Sequence, residues 1–298
     1  MSRSATLERS DLMSTACIFP GQGSQSKGMG ADLFDRFAEW TREADAILGY
    51  SIRELCVDDP RGELGQTAFT QPALFVVNAM TYRARIEDGA APPAFTAGHS
   101  LGEFNALQAA GAFDFGTGLT LVRRRGQMMG EVRGGGMAAV IGLEPARIEA
   151  VLASSDAGRR LDVANFNSFD QTVIAGPKDD LAAVKADFEA AGVRAYIPLN
   201  VSAPFHSRYM RDVAASYASV LDGVSFRAPA VPVIANFTAK PYDAADMRST
   251  LGSQIAHSVR WLDSMVYMLD RGVTEFQEIG PGTVLAKLTA QIKKKLRT

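Results

Sequence analysis

The chain has 298 residues, of which 47% are apolar and 21% are charged, and its formal net charge at neutral pH is −2. A chain of this length can bury a full hydrophobic core, as one large domain or as two smaller ones. The near-zero charge argues against a nucleic-acid-binding protein, and no apolar run is long enough to span a membrane, so we expect neither as a partner. The two cysteines, Cys17 and Cys56, suit neither a disulfide framework nor a zinc site, which is typical of a reducing cytoplasm.

The N-terminal segment is polar and lacks the apolar stretch of a secretory signal. We expect residues 1–15 to be a disordered extension, in which residues 1–12 are an upstream addition or an alternative start before Met13. The basic C-terminal segment QIKKKLRT has two interpretations, a favourable charge arrangement at the end of a helix or a docking patch, and we favour the first.

Apolar periodicity predicts two strands and four helices in the first part of the chain. They are a strand at 16–19, helices at 30–48 and from Thr70, a strand at 95–100, and helices at 101–113 and 114–131. The glycine-rich VRGGG at 132–136 then predicts a boundary.

Beyond the glycines the elements follow the order β-α-β-β-α-β over residues 137–201, which is typical of a ferredoxin-like unit. The flanking segments again indicate α/β structure, with strands predicted at 231–237 and 274–280. We therefore predict an α/β fold in which a small ferredoxin-like subdomain is inserted into a larger one. The expected bounds are 134–204 for the small subdomain and 16–133 with 205–298 for the large one.

The stretch FTAGHSLGEF places Ser100 between Gly98 and Gly102. Gly-X-Ser-X-Gly is typical of a nucleophile elbow, in which a strand turns sharply into a helix and exposes the serine hydroxyl. The glycines are needed because a β-carbon would clash where the strand and the helix cross closely. The pattern also occurs in ordinary turns, so a base, an oxyanion site and a substrate anchor must accompany it.

A serine hydroxyl needs a base, and the chain has only three histidines. His99 adjoins Ser100, and neighbouring side chains at a sharp turn point apart. His257 lies at a predicted helix end, where a histidine more often interacts with the helix dipole. His206 lies where the inserted subdomain returns to the large one, a natural place for a cleft, so we predict His206 as the base.

The glycine-rich loop FPGQGSQSKGMG matches neither a Walker loop nor a dinucleotide fingerprint. It is either a tight loop or the source of an oxyanion donor, the backbone amide of Gln22. The second donor would be the amide of Leu101, which follows the serine.

Three consecutive arginines occupy one predicted helix, and helical spacing prevents them from facing the same way. Arg125 follows the apolar Leu121 and Val122 at spacings of four and three, so it can face inward. An inward guanidinium needs a carboxylate or a similar bidentate partner.

Together these motifs resemble the malonyl-CoA:acyl-carrier-protein transacylase family. From about Ala16 onward the chain contains FPGQGSQ, TQPAL, GHSLGE, LVRRRG, NFNS, VIAG, APFH and EIGPG, in the order and spacing of that family. The resemblance implies an α/β-hydrolase-like large subdomain with an inserted ferredoxin-like small subdomain. It implies that Ser100 is the nucleophile, that His206 is the base, and that the Gln22 and Leu101 amides form the oxyanion hole.

The resemblance also implies roles for three further side chains. Arg125 would pair with the free malonyl carboxylate, and the carbonyl of Gln254 would orient the histidine. Phe205 resembles the phenylalanine of malonyl-selective members, which would crowd an α-methyl group. A single methyl group is worth only about 1–3 kcal/mol, so the selectivity would be partial.

The implied activity is ping-pong transfer of malonyl from malonyl-CoA to the phosphopantetheine thiol of an acyl carrier protein, with no metal and no permanently bound cofactor. Segments such as LGYSIRELCVDDP and RGGGMAAVIGL look closer to freestanding acyltransferases that serve polyketide synthases in trans. The enzyme is expected to be a cytoplasmic monomer.

Four alternatives stay open at this point. They are a malonyl transacylase of fatty-acid synthesis, an acyl hydrolase that edits stalled carrier proteins, a general esterase or lipase, and a non-catalytic module that binds carrier proteins. An inward Arg125 favours transfer of a dicarboxylic acyl unit over the two hydrolases. The presence of both Ser100 and His206 disfavours the binding module.

Overall fold

The computed structural model describes residues 14–297. The strands are β1 Ser14–Phe19, β2 Phe95–Gly98, β3 Gly135–Ile141, β4 Asp162–Ser168, β5 Gln171–Pro177, β6 Ala195–Pro198, β7 Val233–Ile234 and β8 Val273–Glu278. The helices are α1 Leu33–Arg36, α2 Ala38–Leu48, α3 Ile52–Val57, α4 Thr67–Glu87, α5 Gly102–Ala109, α6 Phe115–Glu131, α7 Pro145–Ala153, α8 Asp156–Arg159, α9 Lys178–Ala183, α10 Lys185–Ala190, α11 Arg211–Asp222, α12 Met247–Ser253, α13 Trp261–Leu269 and α14 Val284–Leu296. Short 3₁₀ helices span Arg208–Met210 and Gln254–Ala256. In this part of the chain no helix is long and apolar enough to cross a membrane.

A four-stranded parallel sheet with the order β7-β2-β1-β8 forms the centre of the larger part. Its strand β1 ends in the apolar run ACIF, and all four of these residues are fully buried. A continuous apolar run is typical of a parallel strand that is covered on both faces. In open α/β sheets ligands bind beyond the carboxyl ends of the strands, and β2 ends two residues before Ser100.

The second sheet is antiparallel, has the order β4-β5-β3-β6 and is interrupted by helices in the β-α-β-β-α-β sequence. Alternate residues of its strands face opposite sides. Val140 and Ile174 pack with the apolar residues of α7, α9 and α10. Met137 and Val173 instead belong to the core that is shared with the larger part. This arrangement confirms the predicted α/β fold with an inserted ferredoxin-like unit.

Ser14 and Thr15, which we expected to belong to a disordered extension, instead pair with β8. Residues 1–13 lie outside the described residues. The glycines of VRGGG also differ from the expected break, since Gly135 and Gly136 begin β3. Gly135 lies against the ring of Pro204, where a β-carbon would collide, so close packing rather than a linker accounts for this glycine.

Three predicted elements are shorter or divided. The helix expected at 30–48 turns at Phe37, whose backbone leaves the helical region. The second helix of the predicted β-α-β-β-α-β order is divided at Val184 into α9 and α10. Only two residues of the strand expected at 231–237 form β7, which lies at the edge of the sheet beside β2. Pro232 precedes these residues, and a proline cannot donate to a strand ladder.

Candidate active site

Ser100 occupies a strained turn between β2 and α5, with a positive φ of 52°. A β-carbon on Gly98 would collide with the carbonyl of Gly102, so the strand and the helix can approach this closely only with glycine there. Asn236 holds the turn from the side: its Oδ1 accepts from the Ser100 amide at 2.7 Å, and its Nδ2 donates to the Gly98 carbonyl at 2.6 Å. These bonds offset the cost of the left-handed conformation.

His206 contacts the serine although it lies 106 residues further along the chain. Its Nε2 lies 2.7 Å from Ser100 Oγ, and its Nδ1 lies 2.8 Å from the carbonyl oxygen of Gln254. A carbonyl can only accept, so Nδ1 carries the proton and Nε2 is left to accept the serine proton. His206 also has a positive φ, 59°, so both partners of this pair are held in unusual backbone conformations.

The imidazole of His206 is neutral in this environment. Burial lowers its pKa to about 3, and the charge of Arg125 acts in the same direction. The Gln254 carbonyl opposes both effects by accepting from Nδ1. A neutral imidazole is the form that can accept a proton from a serine.

Arg125 is inward and only 1% exposed. Its Nη1 donates to Gln71 Oε1 at 2.7 Å, and its Nη2 donates to Gln254 Oε1 at 2.6 Å and to Ser100 Oγ at 3.1 Å. We expected a carboxylate or a similar bidentate partner for this guanidinium. Within the described chain amide and hydroxyl oxygens take that place, and pairing with a malonyl carboxylate stays a prediction. Burial lowers the pKa of Arg125 to about 10, so it stays positively charged at neutral pH.

The two expected oxyanion donors lie on neighbouring loops. Gly21, which precedes Gln22, packs against the backbone of the elbow so closely that a β-carbon there would collide with the His99 carbonyl. Within residues 14–297 neither the Gln22 nor the Leu101 amide donates to a protein acceptor. Both amides are therefore available to a bound oxyanion.

A cleft of about 480 Å³ runs beside the elbow, between the loop after β1, the antiparallel sheet and α14. Its lining includes Gln22, His99, Asn165, Asn167, Val201 and Leu288. No aspartate, glutamate, lysine or arginine of the described residues lines it. Amide and aliphatic side chains in a cleft suit a neutral chain that carries its own amide groups.

The remaining candidates have clear positions. His99 points away from Ser100 and lies 2.9 Å from Asn167 Oδ1. His257 is exposed and follows a 3₁₀ helix, where its Nδ1 lies 2.7 Å from the Ser253 carbonyl. Phe205 is 6% exposed and directly precedes His206. The thiols of Cys17 and Cys56 are both buried, and burial raises the pKa of each.

Three residues of the site escaped the sequence analysis: Gln71, Glu103 and Asn236. Gln71 and Glu103 lie inside the quoted motifs TQPAL and GHSLGE, and Asn236 follows β7 at the carboxyl edge of the parallel sheet. All three are almost fully buried. A polar residue just after a parallel strand was a usable signal for Asn236.

No group of three or more histidine, cysteine, aspartate or glutamate residues in the described part of the chain could hold a metal ion.

A serine on a strand-to-helix elbow, paired with a histidine and placed beside a parallel sheet, is the arrangement of serine-dependent acyl-transfer and hydrolytic enzymes. The acyl transferase domain family matches residues 16–295, and the chain belongs to this family.

Individual relatives agree with this membership. The chain is 50% identical over 278 residues to the polyketide biosynthesis malonyl CoA-acyl carrier protein transacylase PksC of Bacillus subtilis, across 93% of this chain and 96% of PksC. It is 52% identical over 277 residues to the polyketide biosynthesis protein ThaF of Burkholderia thailandensis, across 93% of this chain. The chain spans only 24% of the length of ThaF.

The fold is likewise similar to a solved structure. The crystal structure of malonyl CoA-acyl carrier protein transacylase from Burkholderia pseudomallei superimposes with a TM-score of 0.91 at 49% identity, over 95% of this chain and 99% of that one. These similarities confirm the resemblance that the motifs indicated.

Proposed function

We propose that this chain transfers a malonyl group from malonyl-CoA to the phosphopantetheine thiol of an acyl carrier protein, through a malonyl-serine intermediate on Ser100. The observation that carries the proposal is the buried charge of Arg125. It lies 3.1 Å from Ser100 Oγ and binds no carboxylate of the described chain. A guanidinium in that state offers paired donors to the free carboxylate of a dicarboxylic acyl group.

In the first half-reaction Ser100 Oγ attacks the thioester carbonyl while its proton passes to His206 Nε2. The new oxyanion accepts hydrogen bonds from the amides of Gln22 and Leu101. The tetrahedral intermediate collapses, the carbon–sulfur bond breaks, and His206 returns the proton to the departing thiol. The Gln254 carbonyl, 2.8 Å from Nδ1, stabilises the imidazolium where a hydrolase would use an aspartate.

In the second half-reaction the partner protein delivers the thiol of its phosphopantetheine through the cleft beside the elbow. His206 takes the thiol proton as the sulfur attacks the malonyl-serine carbonyl. The tetrahedral intermediate then collapses, the ester C–O bond to Ser100 Oγ breaks, and His206 returns the proton to Oγ. The uncharged, amide-rich lining of the cleft fits the pantetheine arm, which is neutral and contains two amide groups. The reaction uses no metal and no permanently bound cofactor.

We place the small subdomain at residues 134–204 and the large subdomain at residues 16–133 and 205–298. The position of His206 just after the return to the large subdomain supports this division. We also infer that the enzyme works in the cytoplasm as a monomer. We further propose that the enzyme serves a polyketide synthase in trans. This proposal is supported by the similarity to PksC and ThaF, whose names assign them to polyketide biosynthesis.

Intact-protein mass spectrometry tests the proposal after brief incubation with malonyl-CoA, acetyl-CoA and methylmalonyl-CoA in competition. We expect one malonyl adduct, which is absent in Ser100→Ala and disappears when a carrier protein is added. A second candidate function, hydrolysis of stalled acyl chains, would instead release free acid without a lasting adduct. That result would overturn the transfer reaction.

A further inference from the structure

Gln254 connects the three polar groups of the site. Its carbonyl faces His206, its Oε1 accepts from Arg125, and its Nε2 donates to the Ser100 carbonyl at 2.7 Å. The same Nε2 donates to Glu103 Oε2 at 2.6 Å. Gln254 is completely buried, so no water can replace these partners without a rearrangement.

Glu103 is one of the three groups that fix which way this amide points. The two ends of a glutamine amide differ only in being donor or acceptor, so the neighbouring groups set its orientation. The carboxylate of Glu103 and the Ser100 carbonyl both need a donor, which turns Nε2 toward them and Oε1 toward Arg125. Without an acceptor at position 103, the amide loses one of the three contacts that fix it.

The carboxyl of Glu103 is itself fixed and unexposed. Its Oε1 accepts from the Tyr242 hydroxyl at 2.6 Å and from the Asn236 amide at 2.9 Å. Asn236 is the residue that also clamps the elbow at Ser100. One chain of hydrogen bonds therefore runs from the elbow clamp through Glu103 and Gln254 to the arginine.

Glu103 also supplies a negative charge near the guanidinium of Arg125, which has no carboxylate of the described chain as a direct hydrogen-bond partner. Each of the two charges stabilises the other: Arg125 lowers the pKa of Glu103, and Glu103 raises the pKa of Arg125. The other buried acidic residue of the described chain, Asp180, pairs with Arg160 in the small sheet region. Glu103 thus balances the arginine through Gln254 without occupying the donors that a substrate carboxylate needs.

We propose that Glu103 is a positioning residue that holds Gln254, and through it His206 and Arg125, in the geometry required for acylation of Ser100. The inference rests on the proposed acyl transfer for its biological meaning. The protonation state of Glu103 then matters. Burial raises its pKa to about 7, while the hydrogen bonds from Tyr242, Asn236 and Gln254 and the charge of Arg125 lower it.

The titratable groups that act on this carboxyl are Tyr242, which follows β7, and Arg125 on α6. Protonation places a hydrogen on an oxygen that faces a donor, so the network must rearrange. We expect the single-turnover rate of Ser100 acylation to fall as the pH drops below about 7. His206, with its pKa lowered to about 3, would not produce a limb at that pH.

The test compares Glu103→Gln with the wild type and with Glu131→Gln, a control at an exposed glutamate on α6. Glu103→Gln places a second amide against Gln254 and removes the charge. We expect acylation at pH 8 to be at least tenfold slower, with the acidic limb near pH 7 abolished and the control unchanged. A wild-type rate and an unshifted limb in Glu103→Gln would overturn the inference.

Tyr242→Phe keeps the Glu103 carboxylate and removes one hydrogen bond that this carboxylate accepts. This variant therefore tests the role of Glu103 if Glu103→Gln does not fold. The acidic limb should then move to higher pH, and an unmoved limb would overturn the inference. Labelling of Ser100 by a fluorophosphonate, followed over the same pH range, separates this inference from the proposed function. If the wild type formed no malonyl adduct, malonyl transfer would fail, while the labelling rates of the same variants would still test Glu103.

Discussion

The guanidinium of Arg125 and the hydroxyl of Ser100 are in direct contact, with Nη2 3.1 Å from Oγ. The hydroxyl also faces His206 Nε2, which can only accept here, so its proton points to His206 and a lone pair points to Arg125. A substrate carboxylate that binds the guanidinium competes for this donor. Binding of a dicarboxylic acyl group therefore both anchors the substrate and frees the oxygen for attack.

This contact makes Arg125→Ala the most informative single change. We expect malonyl transfer to lose about a hundredfold in kcat/KM, because the paired, charge-assisted hydrogen bonds to the carboxylate disappear. Activity toward acetyl-CoA should rise relative to malonyl-CoA, since an acetyl group needs no cation. The measurement is the rate of transfer from each thioester to a carrier protein.

Arg124→Ala provides a matched control on the same helix. Arg124 is exposed and contacts only Gln127 in the hydrogen bonds of the described chain, so its removal should leave both rates unchanged. If Arg125→Ala transferred malonyl at the wild-type rate, Arg125 would not be the residue that binds the substrate carboxylate.

Local features of this fold could be predicted from the sequence. The elbow at Ser100 and the order of the ferredoxin-like elements depend on glycine placement and on apolar periodicity within short stretches. The inward direction of Arg125 followed from its spacing to Leu121 and Val122 for the same reason. Periodicity reports which face of an element is buried, and this information is local.

The partners of the buried polar groups could not be predicted in this way. Gln254 contacts Arg125 from 129 residues away and Ser100 from 154 residues away. Such pairs form when separate elements pack together. A single sequence does not show which residues that are far apart along the chain become close in space. For this reason the sequence could not show that glutamine oxygens of Gln71 and Gln254 accept hydrogen bonds from Arg125 within the chain.

The depressed pKa of His206 predicts a specific loss of stability in acid. The folded protein keeps His206 neutral down to about pH 3, whereas the unfolded chain takes up this proton below about pH 6.5. The unfolded state then binds more protons, so stability falls as the pH drops through this window. Between pH 7.5 and 5 we expect the wild type to lose about 2 kcal/mol more than His206→Gln, measured by urea unfolding.

Glu103 affects the free energy of unfolding in the opposite direction between about pH 4.5 and 7, because its pKa is raised in the folded protein. Both the wild type and His206→Gln contain Glu103, so its contribution cancels when their stability losses are compared. His257→Gln, a change at an exposed histidine, serves as the control and should follow the wild type at both pH values. Equal losses in the wild type and His206→Gln would contradict a neutral, buried His206.

The close crossing of β2 and α5 makes Gly98 intolerant of any side chain. A β-carbon there would overlap the Gly102 carbonyl group, and neither backbone can move without displacing the elbow. We expect Gly98→Ala to lower the free energy of unfolding by about 3 kcal/mol or more. Gly223→Ala is the matched control, because the nearest atom to its β-carbon is the Val220 carbonyl oxygen at 3.9 Å, and its stability should change by less than about 0.5 kcal/mol.

Phe205 directly precedes the proposed base and is buried. We propose that its ring limits the space beside the acyl group. We expect Phe205→Leu to raise the ratio of methylmalonyl to malonyl transfer about tenfold, since one methyl group is worth about 1–3 kcal/mol in a pocket. Both thioesters compete in one reaction, so the ratio is independent of the amount of folded enzyme. Phe34→Leu, at another buried ring in the same core, should reduce stability without changing the ratio. If Phe205→Leu kept the wild-type ratio, the crowding of the α-methyl group would have to come from another residue.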